Sequence, residues 1–201
     1  MIGTMGILDE KLERLCSILK EMGGVVVGYS GGCDSTFLAA AGREVLGDRM
    51  LCVLASSETY PGSEVEEALE TAQRLGIAVM RIETDELRDE AFAANTPEHC
   101  YFCKRELFSR LVAIGKERGI AWVADGSNVD DLDDYRPGLL AAQRHGVVHP
   151  YVEAGLGKRD IYALAAAAGL DDLAALPAQP CLASRVETGI EVDATTLAFI
   201  E

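Results

Sequence analysis

The sequence has few basic residues for its length. Of its 201 residues, 18 are lysine or arginine and 33 are aspartate or glutamate, so the formal net charge is -15. Nucleic-acid binding depends on cationic side chains that neutralise phosphates, and a strongly acidic surface repels a phosphate backbone. We therefore expect no nucleic acid among the partners, although a local basic pocket for a small anion stays compatible with this charge.

Long apolar runs are also missing. No stretch approaches the roughly 20 consecutive apolar residues that span a membrane. The opening segment, MIGTMGILDEKLERL, has acidic residues where a signal peptide would have a basic head and an apolar body. These absences predict a cytoplasmic protein with no membrane partner, whose six cysteines are reduced thiols and not a disulfide framework.

Strand-like and helical patterns alternate along the chain. The strand-like stretches are 25–29, 50–55, 77–82 and 120–124, and the helical patterns are 35–46, 62–75 and 98–118. This alternation predicts an α/β fold with an open, mostly parallel sheet and helices on both faces. Because ligands of such sheets bind at the carboxyl ends of the strands, the loops after Tyr29, Ala55 and Ala124 are the candidate site.

The first of these loops is compatible with three chemistries. Residues 24–40 read GVVVGYSGGCDSTFLAA, which contains a G-x-S-x-G elbow, a glycine-rich phosphate cradle, and a thiol, Cys33, at a helix start. Only 29 residues precede Ser30, and none form the loop that supplies an oxyanion hole. Asp125 and His149 follow in the chain order of a hydrolase triad, so a hydrolase stays an alternative.

The phosphate cradle fits the loop best. Glycine-rich backbone between a strand and a helix presents N–H donors and the positive end of a helix dipole to an anion. The loop has neither the lysine of a Walker A motif nor G-x-G-x-x-G spacing, and a capped tight turn is the structural alternative. Residues 30–35, SGGCDS, resemble the SGGxDS signature of the PP-loop ATP pyrophosphatases, an adenine nucleotide alpha hydrolase-like fold.

Three further stretches resemble the LarE family of ATP-dependent sulfur transferases. They are HCYFCKREL from His99, DGSNVDDLDDYRPG from Asp125 and PCLASR from Pro180, and the likeness covers about 23–189 with mild departures at Cys33, Ser127 and Val129. The resemblance implies that Mg-ATP adenylates a carboxylate of pyridinium-3,5-biscarboxylic acid mononucleotide, with release of pyrophosphate. Sulfur then displaces AMP to give a thiocarboxylate for the nickel-pincer nucleotide cofactor.

The same resemblance implies roles for individual residues. Cys181 is the sulfur-bearing position, and Asp34 helps to place the Mg²⁺-bound phosphates. Lys104 and Arg136 are candidate cations for the first step. The residues expected to contact ATP or the substrate's phosphate are Ser30, Gly31, Gly32, Asp34, Ser35, Asp125, Gly126, Ser184 and Arg185.

Three cysteines extend the site to a metal. Cys100 and Cys103 open a helix with both sulfurs on one face, which alone indicates a redox pair, half a zinc site with His99, or a coincidence. Together with Cys181 they supply the three thiolates of a 4Fe-4S cluster that keeps one iron open, as the resemblance also implies for three-cysteine members. Sacrifice of the Cys181 sulfur, tRNA thiolation by a related PP-loop enzyme, and nitrogen transfer are the alternatives.

The domain organisation follows from these motifs. We expect residues 1–185 to form the PP-loop ATP pyrophosphatase domain and 186–201 to begin a C-terminal region, where Asp193 resembles an N-cap. The expected partner is a small nucleotide substrate, and we expect the protein to be a homo-oligomer.

Overall fold

A four-stranded parallel sheet forms the centre of the molecule. The computed structural model describes residues 2–133, 135–175 and 180–201, with side chains from residue 6 onward. The sheet has the order β3-β2-β1-β4, and every neighbouring pair is parallel. Its strands are β1 (Val25–Gly28), β2 (Met50–Ser56), β3 (Val79–Glu83) and β4 (Trp122–Ala124). The predicted parallel α/β fold is confirmed.

Helices connect the strands and continue beyond them. They are α1 (Ile2–Met22), α2 (Cys33–Leu46), α3 (Gly62–Arg74), α4 (Glu90–Ala93), α5 (His99–Arg118), α6 (Pro137–His145), α7 (Pro150–Ala154), α8 (Lys158–Ala167), α9 (Asp171–Ala174) and α10 (Ala194–Ile200). Gly119 and Gly146 end α5 and α6 in the left-handed conformation that closes a helix at low cost. Asp193 accepts a hydrogen bond from Thr196 N at 2.7 Å, so the predicted N-cap of α10 is confirmed.

The alternation of side chains along β1 explains why both faces of the sheet are covered. Val25 and Val27 point into one core, to which α1, α2, α3, α7 and α8 contribute. Val26 points to the opposite face, against α5 and α6. Successive residues of a strand face opposite sides, so a strand apolar on both sides requires helices on both.

The chain order places three loops at one edge of the sheet. From β1 the chain passes through α2 to β2 on one side, whereas β4 lies on the other side of β1. The order therefore reverses between β1 and β4, which is where open α/β sheets bind ligands. The loops after β1, β2 and β4 all open at this carboxyl edge, as the sequence predicted.

A third hydrophobic cluster lies outside the two sheet cores. Its buried members are Phe92, Leu182, Ala183, Val186, Val192 and Leu197. The amide of Leu182 donates to Thr59 O at 2.9 Å, which attaches the PCLASR segment to the loop after β2. The PCLASR segment, 180–185, is therefore attached at the same edge of the sheet as the loop 30–35, which we call the phosphate loop.

Two sequence expectations concern the chain as a whole. All six cysteines are free thiols, as predicted. Within residues 2–133, 135–175 and 180–201, no helix combines the length and apolarity that a membrane crossing requires.

The contact of α5 with the sheet gives a stability prediction. A Cβ on Gly115 would lie 2.9 Å from Ile120 O and 3.7 Å from Val26 Cγ2. Gly115→Ala should therefore lower the free energy of unfolding by about 1–3 kcal/mol, although alanine favours helix. The control is Gly6→Ala in α1, where nothing lies within 4 Å. Equal stability of the two variants in urea denaturation would contradict the close contact of Gly115 with Ile120 O.

Candidate functional site

The hydroxyl of Ser35 closes the loop after β1. Its Oγ accepts a hydrogen bond from Ser30 N at 3.2 Å and donates to Gly32 O at 3.1 Å. Gly32 is the N-cap of α2, and among the described residues no side chain caps this helix start. Because the first-turn amides of a helix lack helical acceptors, the loop presents N–H donors and a positive dipole end to an anion.

Gly31 allows this loop to lie directly against α3. Its φ is +78°, and a Cβ there would come within 2.5 Å of the Ala68 Cβ. On the same side, the hydroxyl of Tyr29 donates to Ala68 O at 3.0 Å. Only glycine combines this backbone conformation with so close an approach.

The loop after β4 meets the start of α2. A Cβ on Gly126 would lie 3.2 Å from Ser35 N and 3.4 Å from the Asp34 Cβ. Asp125, next to it, accepts hydrogen bonds from Ser127 N at 3.0 Å and from His149 Nδ1 at 2.7 Å. The structure thus brings together the two sets of residues that the sequence assigned to ATP, at the reversal point between β1 and β4.

Asp34 has the environment of a cation ligand. Its Oδ1 is buried and has no hydrogen-bond partner within the described part of the chain. Burial raises the pKa of this carboxyl, the Lys158 charge opposes the rise, and Asp131 adds to it. A buried carboxylate oxygen without a partner suits a hard cation, so the residues at this position fit Mg²⁺.

The alternative chemistries of the loop have weaker support. Burial raises the pKa of the Cys33 thiol to about 11, with Asp34 adding to the rise, so this thiol is not activated by the helix start. In the described ranges no hydrogen bond joins Ser30 to His149, the contact on which a hydrolase triad depends. His149 is instead paired with Asp125. Burial raises the pKa of Asp125, but the His149 hydrogen bond, the charges of Lys104 and His149 and the Ser127 amide together outweigh burial, so the pKa of this carboxyl is lowered.

Two residues near Asp34 were missed as site residues at the sequence level. The hydroxyl of buried Tyr151 donates to Asp34 O at 2.7 Å. Lys158, the first residue of α8, acts electrostatically on both Asp34 and Cys33. The glycine before Lys158 marks a helix start, but nothing in the sequence indicates that this start faces the phosphate loop.

The PCLASR segment brings a thiol, a hydroxyl and a guanidinium to the same edge. The Cys181 Sγ lies 3.2 Å from the Ser184 Oγ. Arg185 donates to Pro180 O and, at 3.2 Å, to Glu64 Oε1 in the first turn of α3. Ala68, which contacts Gly31, lies one turn further along α3. The phosphate loop and the PCLASR segment therefore contact α3 one turn apart. Contact of Ser184 and Arg185 with a phosphate stays a prediction.

The other two predicted cluster cysteines lie at the start of α5. The Cys103 Sγ lies 3.7 Å from the Tyr60 hydroxyl, and Cys103 borders the third hydrophobic cluster together with Cys181. Burial raises the pKa of the Cys103 thiol to about 12, with Lys104 opposing. The Cys100 Sγ instead lies 3.4 Å from His99 Nε2. The two sulfurs of the C-x-x-C therefore have different neighbours.

The three thiols are suitable ligands for iron, but their positions do not bring them together around one metal site. Soft thiolates are the ligands of iron–sulfur clusters. Over the part of the chain that the structure describes, however, no group of three or more His, Cys, Asp or Glu side chains is arranged to hold a metal ion. The three cysteines thus do not form one ligand set in this structure, and the cluster stays a prediction.

Two cavities open beside these residues. One of about 550 Å³ follows the ends of β2 and β3, and Ser56, Tyr60 and Thr84 are among its lining residues. The other, of about 390 Å³, lies between the starts of α5 and α6, where Tyr101 and Arg144 contribute to its wall. Of the predicted cations, Arg136 also lines this second cavity and pairs with Asp131 at 3.0 Å. Lys104 lies over the Phe108 ring, with its Nζ 5.5 Å from the centroid.

Comparison with known proteins identifies relatives of the chain. An uncharacterized protein of Synechocystis sp. is 38% identical over 185 residues, which cover 92% of this chain and 69% of the relative. The pyridinium-3,5-bisthiocarboxylic acid mononucleotide synthase of Lactiplantibacillus plantarum is 38% identical over 167 residues, which cover 83% of this chain. The match spans only 60% of that synthase.

A solved structure and a family model agree with the fold. NMN synthetase from Francisella tularensis matches with a TM-score of 0.69 over 96% of this chain and 85% of that one. At 17% identity, this likeness shows the fold alone. The NAD synthase family model matches residues 9–114, more than half of the chain. The predicted resemblance to the LarE family agrees with the 38% identity to the Lactiplantibacillus plantarum synthase. The chain belongs to the NAD synthase family of PP-loop proteins.

Proposed function

We propose that this chain is the PP-loop portion of an ATP-dependent sulfurtransferase. Its substrate is pyridinium-3,5-biscarboxylic acid mononucleotide, and its product is a thiocarboxylate used for the nickel-pincer nucleotide. The observation that carries the proposal is that the phosphate loop and the PCLASR segment contact α3 one turn apart, at Ala68 and at Glu64. Similarity to the Lactiplantibacillus plantarum synthase supports this choice of substrate.

The first step is adenylation of a substrate carboxylate. The carboxylate oxygen forms a bond to the α-phosphorus of ATP, the bond to the β-phosphate breaks, and pyrophosphate leaves. The loop amides bind the phosphates, and Lys158 adds positive charge. The hydroxyls of Ser30 and Ser35 contact phosphate when they exchange the hydrogen bonds that they form within the loop. Asp34 would hold Mg²⁺, which neutralises phosphate charge when it is bound. The 550 Å³ cavity beyond β2 has room for the nucleoside.

The second step is transfer of sulfur to the mixed anhydride. Sulfur attacks the carbonyl carbon, a C–S bond forms, the C–O bond to AMP breaks, and AMP leaves with the electron pair. In the sacrificial route, the Cys181 Sγ, which lies 3.2 Å from the Ser184 Oγ, is the nucleophile and gives up its thiol proton to solvent. The resulting thioester then loses the Cα proton of residue 181 to water, the Cβ–Sγ bond breaks, and the thiocarboxylate leaves with the sulfur while dehydroalanine remains at 181. Both predicted sulfur sources require Cys181, because it is the donor in sacrifice and a ligand in the cluster. No step of this mechanism depends on the cluster.

The pyridinium ring has a complementary surface near Cys100. The 390 Å³ cavity combines aromatic faces, among them Tyr101 and Phe102, with the guanidinium of Arg144. A guanidinium binds a carboxylate, and an aromatic face attracts a cationic ring, which here would replace Arg144 or Arg105 over the Tyr101 ring. The homo-oligomer and the domain division after residue 185 stay predictions. The net charge of -15 disfavours the tRNA alternative.

Replacement of Cys181 tests the sulfur step. Cys181→Ser should reduce thiocarboxylate formation to background, because a hydroxyl supplies no sulfur, and should leave substrate-dependent pyrophosphate release within about twofold. Mass spectrometry of the product and a pyrophosphate assay measure the two steps. Cys16→Ser in α1, far from the third cluster that Cys181 borders, is the matched control. Unchanged thiocarboxylate turnover in Cys181→Ser would refute sulfur transfer through this residue.

The sulfur source is tested by metal and mass analysis of the same protein. If a cluster forms, anaerobically purified protein should contain iron and acid-labile sulfide, and Cys100→Ser and Cys103→Ser should each lose both. If Cys181 is sacrificed, the chain should lose the mass of H₂S at residue 181 during turnover. Iron-free protein that remains active and shows this mass loss would disprove the cluster.

Replacement of Asp34 should lower the activity without lowering the stability of the fold. Asp34→Asn should slow pyrophosphate release by about a hundredfold, because the amide cannot neutralise Mg²⁺. The free energy of unfolding should stay the same or rise, because burial opposes the charged form of this carboxyl. Asp9→Asn on the exposed part of α1 is the charge-matched control. A variant that is less stable but fully active would contradict the assignment.

A further inference from the structure

Asn95, between α4 and α5, has an unusual backbone conformation. Its φ is +48°, and it is the one non-glycine residue at positive φ within the described ranges. The side chain is 1% exposed. Asparagine tolerates the left-handed region better than most residues, yet this conformation persists only where the surroundings enforce it. The contacts of Asn95 must therefore hold it in this conformation.

The Asn95 amide faces three carbonyl groups of the chain that follows PCLASR. Because carbonyl oxygens only accept hydrogen bonds, the amide nitrogen and not its oxygen must point toward them. Two backbone bonds reinforce the contact. The bonds run from Asn95 Nδ2 to Val186 O at 3.4 Å, Glu187 O at 3.0 Å and Ile190 O at 3.0 Å, from Gly189 N to Asn95 O at 2.9 Å, and from Val192 N to Ala93 O at 2.8 Å. We call this set of bonds the Asn95 clamp.

The clamp joins the two segments that carry the cysteines of the site. On one side it holds 186–192, which directly follows Arg185. On the other side Asn95 precedes Thr96, whose carbonyl lies 3.1 Å from His99 Nδ1. The opposite ring nitrogen of His99 lies 3.4 Å from the Cys100 Sγ. A continuous series of contacts therefore runs from the segment after Cys181 to the start of α5.

Apolar packing alone would leave the position of Cys181 less well defined. Phe92 packs against Leu182 and Ala183 in the third cluster, but such contacts have no fixed direction. The directional restraints on the α3 side are Leu182 N to Thr59 O and Arg185 to Glu64 Oε1, and the clamp is the restraint on the α5 side. Loss of the clamp would leave the segment restrained on the α3 side alone.

We propose that Asn95 is a positioning residue for sulfur transfer: it holds the chain after PCLASR against the start of α5 and so fixes where Cys181 meets the adenylate. This inference rests on the proposed function. A displacement of about 1 Å at a reacting group can cost a hundredfold in rate, so a clamp remote from the phosphate loop can govern the second step alone.

Asn95→Gly tests the side-chain bonds of the clamp, because glycine accepts positive φ and removes the side chain that bonds the three carbonyls, while the two backbone bonds can remain. Pyrophosphate release and the KM for ATP should stay within about twofold of the wild type, whereas thiocarboxylate formation should fall about ten- to a hundredfold. Asn95→Asp keeps the size of the side chain but turns acceptor oxygens toward three carbonyls. It should lose at least as much, and it replaces Asn95→Gly if the glycine variant does not fold.

A stability-matched control separates positioning from folding. Gly115→Ala should lower the stability of the fold without changing the clamp. Any loss of rate should then be equal for pyrophosphate release and thiocarboxylate formation. Two results in the Asn95 variants would overturn the proposal. One is an equal loss of pyrophosphate release and thiocarboxylate formation, and the other is thiocarboxylate formation at the wild-type rate. If the wild-type chain transfers no sulfur at all, the proposed function fails, and the rate of Cys181 alkylation by iodoacetamide decides on the clamp. That rate should rise several-fold in Asn95→Gly and not in Gly115→Ala, and equal rates would overturn the clamp.

Discussion

The close approach of the phosphate loop to α3 is the constraint on which the rest of the site depends. Gly31 can lie against Ala68 only because it has no side chain and adopts positive φ. One turn earlier on α3, Glu64 pairs with Arg185 of the PCLASR segment at 3.2 Å. A shift of this helix would therefore move the nucleotide site and the PCLASR segment together. The geometry of both proposed steps thus depends on one element packed against the sheet.

Buried carboxylates make the site less stable than it could be. Asp34 Oδ1 and both carboxylate oxygens of Glu86 are buried with no hydrogen-bond partner in the described chain. Glu86 acts electrostatically on Tyr60 and Cys103, so it belongs to the surroundings of the thiols. Unpaired buried carboxylates oppose folding. Both carboxylates lie beside groups that the proposed chemistry uses, Asp34 at the phosphate loop and Glu86 beside the thiols, so the stability cost falls at the proposed site.

Local pattern was sufficient for the sheet and for half of the site. Apolar stretches located the strands, and because parallel strands end at one edge, Asp34 and Gly126 could be expected to meet. Lys158, Tyr151 and Asn95 could not be found this way, since their contacts depend on how distant segments pack. The hydroxyl of Tyr151 reaches a carbonyl 117 positions earlier in the chain, and Asn95 holds carbonyls more than 90 positions later. No periodicity or motif encodes such pairings.

The acidic surface and the anionic ligand are compatible because the phosphate site relies on dipoles. Backbone amides of the loop and the start of α2 provide positive potential without net charge. The nearby cation is Lys158, whose charge lowers the pKa of Asp34 and so opposes the effect of burial. At a net charge of -15, an unshielded polyanion is repelled, whereas in the proposed mechanism a nucleotide with bound Mg²⁺ carries less charge and gains a carboxylate contact at Asp34. Under this proposal the acidic field favours metal-complexed ATP over free phosphate chains.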